Sequence, residues 1–74
     1  MEFDYSALRG RITEKYGTSK KFAEAVKMLP TSLSMKLNNK QSWKQEDIEK
    51  ARVALDIDVK DLSTYFFCVK SSNN

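Results

Sequence analysis

The sequence predicts a compact all-α domain of four to five helices that ends in a short extended segment. Three observations indicate this fold class. Apolar residues recur three or four positions apart in several segments, which is the period of a helix with one buried face. Cap and turn residues separate those segments from one another. The chain has 74 residues, which is the size of one small domain.

Residues 22–40 are predicted to form two short helices that meet at a sharp corner. Pro30 fixes the start of the second helix, because proline fits the first helical position and not the interior. Pairs of apolar residues four positions apart give each helix a buried face, namely Phe22 with Val26 and Leu33 with Leu37. This pattern is typical of a helix-turn-helix, in which the second helix touches the partner, most often DNA.

Three further helices are predicted around this unit. Asp4 is the expected N-cap of the first helix, and Gly17 supplies the left-handed residue that ends it. Thr18 caps the helix before the corner, a fourth helix begins at Gln45, and Asp58 caps a last short helix. The residues expected to face inward in the three outer helices are Leu8, Ile12, Ile48, Ala51, Leu55, Val59, Leu62 and Tyr65.

Two residues need tertiary contacts to explain them. Gly10 lies inside the first helix, where glycine costs about 1 kcal/mol relative to alanine. A close helix contact would justify it. Trp43 lies in the polar loop of residues 40–44 and is expected to cover the core over the second and third helices. Stacking of Trp43 on a nucleic-acid base is the alternative.

The most β-prone segment of the chain follows the last helix. It cannot form a sheet alone, so it either folds back on the core or pairs with a second copy of the chain as a homodimer. The residues that would form such a dimer tail are Tyr65, Phe66, Phe67 and Val69. Residues 1–69 are predicted to form a single helix-turn-helix domain, and residues 70–74 are predicted to be a frayed tail.

The distribution of charge favours a polyanionic partner. Residues 1–44 contain nine Lys or Arg and four acids, whereas residues 45–74 contain four bases and six acids. The basic excess therefore lies on the half that holds the helix-turn-helix, as expected for contacts with phosphates. A mildly basic solvated surface is the alternative reading.

Several function classes are not expected. The chain has no His and one cysteine, Cys68, which leaves no conventional metal site. It has no Gly-rich phosphate loop and no nucleophile beside a base, so an enzyme with catalytic residues, a cofactor or a small-molecule substrate is not predicted. No segment is apolar enough to span a bilayer, and the expected location is the cytoplasm.

The segment from Ser19 to Leu37 resembles the helix-turn-helix of phage repressors and Cro-like regulators in the lambda-repressor-like group. The matching positions are Phe22, Ala23, Val26, Met28 and Leu33. Four short motifs resemble small Cro-like or repressor-modulating proteins of the lysis–lysogeny switch in phages of Gram-positive bacteria. These motifs are residues 3–6, 8–12, 36–40 and 65–67. The resemblance implies a lambda-repressor-like fold and a regulator that acts in the host bacterial cell.

Two positions depart from this family. Lys27 stands where the turn usually has glycine, so either the lysine adopts a left-handed backbone or the turn differs. Leu29 replaces the usual polar N-cap of the recognition helix. Because an apolar side chain cannot cap, that helix start loses about 1 kcal/mol.

The resemblance implies, first, a regulator that binds double-stranded operator DNA with modest intrinsic specificity. The third helix would lie in the major groove, and the residues facing the bases would be Pro30, Thr31, Ser32, Met35 and Lys36. The phosphates would be contacted by Thr18, Lys20, Lys21, Asn38, Lys40 and Lys44. The third helix has no bidentate reader such as Arg, Asn or Gln, so its specificity would be limited.

The alternative is an antirepressor or modulator that binds the opposing phage repressor as a heterocomplex and covers the repressor's own recognition helix. The weak reading chemistry favours it, as does a small apolar surface formed by Met28, Leu29, Pro30 and Met35. The two functions are compatible, because a heterocomplex could still touch DNA.

Overall fold

The computed structural model describes residues 2–70 and confirms an all-α fold. Its helices are α1 (Ser6–Tyr16), α2 (Ser19–Ala25), α3 (Pro30–Leu37), α4 (Gln45–Ala54) and α5 (Leu62–Phe66), with a 3-10 turn at Val59–Asp61. No helix within residues 2–70 is long and apolar enough to cross a membrane. Most of the predicted frayed tail, residues 71–74, lies outside the described residues.

The core forms where α1 packs on α2 and α5, and where α2 packs on α3. Its largest fully buried side chains are Leu8, Ile12, Phe22, Leu33, Leu55 and Phe66. Most of the predicted inward positions are confirmed by their burial, but Val59 is 62% exposed. Val59 begins the 3-10 turn at the surface, where Asp58 Oδ1 accepts the N–H of Lys60 at 3.2 Å. The short turn therefore faces solvent at its first residue.

The corner between α2 and α3 forms as its sequence requires. Thr18 Oγ1 accepts the N–H of Lys21 at 3.2 Å and caps α2. Lys27 adopts the left-handed conformation with φ +56°, the first of the two alternatives for this turn. Leu29 stands at the N-cap of α3 without a capping side-chain bond, and Pro30 is the first helical residue. The corner therefore contains a lysine in a strained backbone conformation and a helix start without a side-chain cap.

The N-terminus of α1 differs by one residue from the prediction. Tyr5, and not Asp4, occupies the cap position. The Asp4 carboxylate still accepts the N–H of Ser6, at 2.9 Å. Hydrogen bonds from the hydroxyl and the N–H of Ser6 lower the pKa of Asp4. Asp4 therefore supports the helix start from one position further out.

The C-terminal segment pairs with the N-terminus of its own chain. The N–H of Asp4 donates to the carbonyl of Cys68 at 2.6 Å, and the N–H of Lys70 donates to the carbonyl of Glu2 at 2.9 Å. Lys70 is therefore held and not frayed. Phe66 ends α5 and is 2% exposed, so it is not available for a dimer contact and its place in the predicted dimer tail is wrong. Phe67 and Val69 remain about half exposed.

Trp43 lies at the end of the molecule where the two termini meet. Trp43 packs on the core as predicted. Its ring centroid is 6.3 Å from that of Tyr5 and 5.1 Å from that of Phe66, so it lies beside α5 instead of over α2 and α3. The cause is Asn39, whose side-chain amide bonds both the N–H and the carbonyl of Phe3 at 2.9 Å. These bonds hold the loop after α3 against the N-terminal segment.

Two arginines of α1 cap other helices. Arg9 Nη2 donates to the carbonyl of Leu37 at 3.2 Å, at the end of α3. Arg11 Nε donates to the carbonyl of Leu55 at 2.9 Å, and its Nη2 donates to the carbonyl of Asp56 at 3.1 Å. Cations suit these positions because the last carbonyls of a helix lack partners. Two of the basic residues counted toward a phosphate footprint therefore have structural roles.

Replacing Gly10 with alanine should stabilise the fold by about 1 kcal/mol, because glycine lowers helix stability by that amount. A Cβ at this position would meet nothing within 4 Å, so no close contact justifies the glycine. The free energy of unfolding in urea measures the effect. Gly17→Ala is the matched control. Because Gly17 has φ +84°, which L side chains rarely adopt, alanine there should destabilise the fold by roughly 1 kcal/mol. If Gly10→Ala lowers the free energy of unfolding, this would contradict the open space around the Cβ position of residue 10.

Candidate interaction surface

The outward side of the corner exposes apolar side chains beside the polar residues Lys27 and Thr31. Met28 is half-buried and Pro30 is exposed, whereas Leu29 is 71% exposed and Met35 is 40% exposed. These four residues are called the turn–α3 surface below. Thr31 is exposed beside it and Ser32 is half-buried. The structure therefore places the predicted base-facing residues, apart from Lys36, at or near a surface with an apolar centre.

Lys36 does not lie on the outer face of α3, which contradicts its predicted base-facing role. It is 6% exposed and lies three positions after Leu33, on the buried side of α3. Its Nζ donates to Gln41 Oε1 at 3.0 Å and lies 3.6 Å from Asp47 Oδ2. Residues three apart share a helix face. Lys36 therefore joins α3 to the loop and to the start of α4.

The burial of Lys36 removes the strongest reading group from α3. The residues left on the outer face are Pro30, Thr31, Ser32, Ser34 and Met35. Hydroxyl groups make single hydrogen bonds to base edges, whereas discrimination between base pairs relies on bidentate contacts from Arg, Lys, Asn or Gln. The outer face of α3 offers no such group between residues 30 and 37.

The predicted phosphate contacts fall into two groups. Thr18, Lys20 and Lys21 are exposed together at the start of α2, where the Thr18 hydroxyl is engaged by its capping bond. Lys40 and Lys44 are exposed in the loop after α3. Within residues 2–70 these four lysines form no ion pair. They remain available to an anionic partner.

Asn38 is less available than the lysines. Its Oδ1 accepts a hydrogen bond from Arg9 Nη2 at 2.9 Å, and its Nδ2 lies 3.4 Å from Ser34 Oγ. The side chain is exposed, but both of its polar ends already have partners. Its role in the structure is to complete the end of α3 together with Arg9.

A cleft next to Leu29 was not predicted. It has a volume of about 360 Å³ and lies between the corner and the start of α4. Its lining includes Met28, Leu29, Lys36, Lys44 and Asp47. The spacing of Lys36 from Leu33 could have indicated that this lysine faces inward. The partners of Lys36 lie five and eleven residues further along the chain and have no local signal.

Comparison with known proteins was made for the whole chain. Residues 1–69 match the family described as "Protein of unknown function (DUF739)". Among solved structures, the chain is similar to the solution structure of the modulator of repression (MOR) of the temperate bacteriophage TP901-1 from Lactococcus lactis. The two sequences are 45% identical, the similarity covers 90% of each chain and the TM-score is 0.80. No curated protein sequence matches the chain.

Proposed function

The chain belongs to the family described as protein of unknown function (DUF739), and we propose that it is a phage modulator of repression that binds the opposing phage repressor. The main support is its similarity to MOR of phage TP901-1, whose name states that it modulates repression. In this proposal the turn–α3 surface covers the recognition helix of the repressor. The repressor's binding to operator DNA is then blocked or altered.

The observation that carries the proposal is the inward orientation of Lys36. A DNA-reading helix needs polar groups on its outer face, and here the single cation of α3 is buried against Asp47. The outer face keeps the hydroxyls of Thr31 and Ser34 beside the apolar side chains of Pro30 and Met35, and Leu29 is exposed just before it. Exposed apolar residues that cluster on a small protein favour a protein partner over a base edge.

The turn–α3 surface has the residues that a small interface needs. Burying a leucine or methionine side chain that is exposed in the free protein contributes about 1.5–3 kcal/mol. Leu29 is 71% exposed and can contribute most of this free energy, whereas Met35 is 40% exposed and can contribute less than half of it. Met35 is unbranched and adapts to an irregular partner surface. Because a few central residues usually carry most of the binding energy, these two side chains are sufficient anchors.

Contact with DNA within the heterocomplex is a second proposed function, and it would use residues outside the turn–α3 surface. The observation that favours it is the group of exposed lysines at the start of α2, Lys20 and Lys21. Both can reach phosphates without reading sequence. We propose that this contact is non-specific and falls steeply with salt concentration.

Replacing Met35 with glutamate should weaken binding of the repressor by roughly 10-fold, because a charge would replace a buried apolar contact. The measurement is titration calorimetry of this protein with the repressor of the same phage, supported by co-purification. Val59→Glu, at an exposed position of the 3-10 turn, is the control and should bind normally. An intact complex with Met35→Glu would count strongly against the proposed surface.

A further inference from the structure

We propose that the cleft beside Leu29 holds a carboxylate side chain of the partner repressor. An apolar pocket on the repressor, next to that carboxylate, receives the Leu29 side chain. This inference rests on the proposed function and specifies the chemistry of the partner surface. The repressor should present one acidic residue at the edge of an apolar depression.

Lys36 has hydrogen-bonding capacity that its neighbours do not use. Its ammonium group carries three N–H donors. Gln41 Oε1 accepts one of them at 3.0 Å, and Asp47 Oδ2 lies at 3.6 Å, beyond the range of a good hydrogen bond. Asp47 Oδ2 already accepts the N–H of Lys44 at 3.1 Å. The side chain of Lys36 is 8% exposed and lines the cleft, so Lys36 forms part of the cleft wall and keeps a small exposed area there.

The charges lining the cleft favour an anion. Three lysines line it, Lys27, Lys36 and Lys44, against the acids Glu46 and Asp47. Asp47 is already engaged by Lys36 and by the backbone of Lys44. Lys27 and Lys44 are exposed, and neither forms an ion pair within the described part of the chain. A carboxylate in this cleft would gain charge-assisted hydrogen bonds from a group that is largely removed from water.

The apolar side of the cleft distinguishes a protein carboxylate from a DNA phosphate. Met28 and Leu29 line the same cleft, and Leu29 is 71% exposed. A phosphate backbone offers no surface that would bury Leu29. A folded protein can place an apolar pocket beside an acidic side chain, as the core and rim of an interface commonly do. The combination of cations and an exposed leucine therefore favours a protein partner.

The test is a calorimetric titration of the repressor with the double variant Lys27→Asn and Lys44→Gln. Asparagine tolerates the left-handed conformation at position 27. The matched control is Lys50→Gln with Lys60→Gln, two exposed lysines outside the cleft, which changes the net charge by the same amount. The cleft variant should bind about 10-fold more weakly than the control, and the difference should shrink at high salt. Lys36→Met, checked for folding by circular dichroism, should weaken binding by at least about 10-fold.

The outcomes distinguish a failure of the proposed function from a failure of the carboxylate inference. If the unaltered protein does not bind the repressor, the proposed function fails. If Leu29→Glu weakens the complex but the cleft variants bind like the control pair, the function stands and the carboxylate inference is overturned. Lysine changes that weaken DNA binding and leave repressor binding unchanged would make the cleft a phosphate site, which also overturns the inference.

Discussion

Replacing Leu29 with glutamate should lower the affinity for the repressor by about 100-fold, since truncated or charged anchors at interface centres cost 2 kcal/mol or more. Leu29 is 71% exposed in the free protein and stands at the N-cap of α3 without a capping bond. The substitution therefore removes little buried apolar area, and the free energy of unfolding should change by no more than about 0.5 kcal/mol. Calorimetric titration and urea unfolding measure the two quantities.

Val59→Glu is the matched control for this prediction. Val59 is 62% exposed and lies in the 3-10 turn, outside the turn–α3 surface. It receives the same charge on an equally exposed apolar side chain. A repressor affinity that falls equally in both variants would indicate a general charge effect. Unchanged binding by Leu29→Glu would place the interface elsewhere on the molecule.

A large effect on stability is expected at Phe66. Its ring is 2% exposed and meets Trp43 edge to face, with centroids 5.1 Å apart. Phe66→Ala should cost about 3–5 kcal/mol of unfolding free energy, because it leaves a cavity in the core. Domains of this kind are stabilised by only about 5–15 kcal/mol, so a sizeable unfolded population should appear at moderate urea concentrations.

The neighbouring residue provides the comparison. Phe67 is 50% exposed, and its centroid lies 6.2 Å from that of Phe3 at the surface. Phe67→Ala should cost no more than roughly 1 kcal/mol, since it removes only partly buried apolar area. An equal loss of unfolding free energy in the two variants, or a larger loss for Phe67→Ala, would contradict a helix α5 that ends at Phe66. It would also contradict the packing in which Phe66 is buried and Phe67 is half exposed.

Features with a local chemical cause were predictable from the sequence. Pro30 marks the start of α3, Thr18 caps α2, and Gly17 ends α1 with a positive φ. Apolar spacing identifies the buried faces of the helices, including that of α3, which carries Leu33 and Leu37. These features depend on neighbours within about one helical turn, which is the range over which caps and side-chain spacing act.

Features that depend on distant partners were not predictable. The spacing of Lys36 from Leu33 indicates an inward side chain, but its partner Asp47 lies eleven residues away and has no local signal. Arg9 and Arg11 belong to the basic excess expected to contact phosphates, whereas their guanidinium groups bond carbonyls at the ends of α3 and α4. Trp43 was misplaced because Asn39 ties its loop to Phe3. In each case the deciding contact joins segments whose proximity exists only in the folded chain.

We propose that this protein acts by binding a repressor and not by reading an operator. The most direct measurement is a gel shift on the divergent promoter of the phage, with this protein alone, with its repressor alone and with both. We expect no sequence-specific shift from this protein alone, and the repressor's shift should be lost or altered when both are present. A specific shift by this protein alone, with the repressor's shift unchanged in the mixture, would contradict the claim.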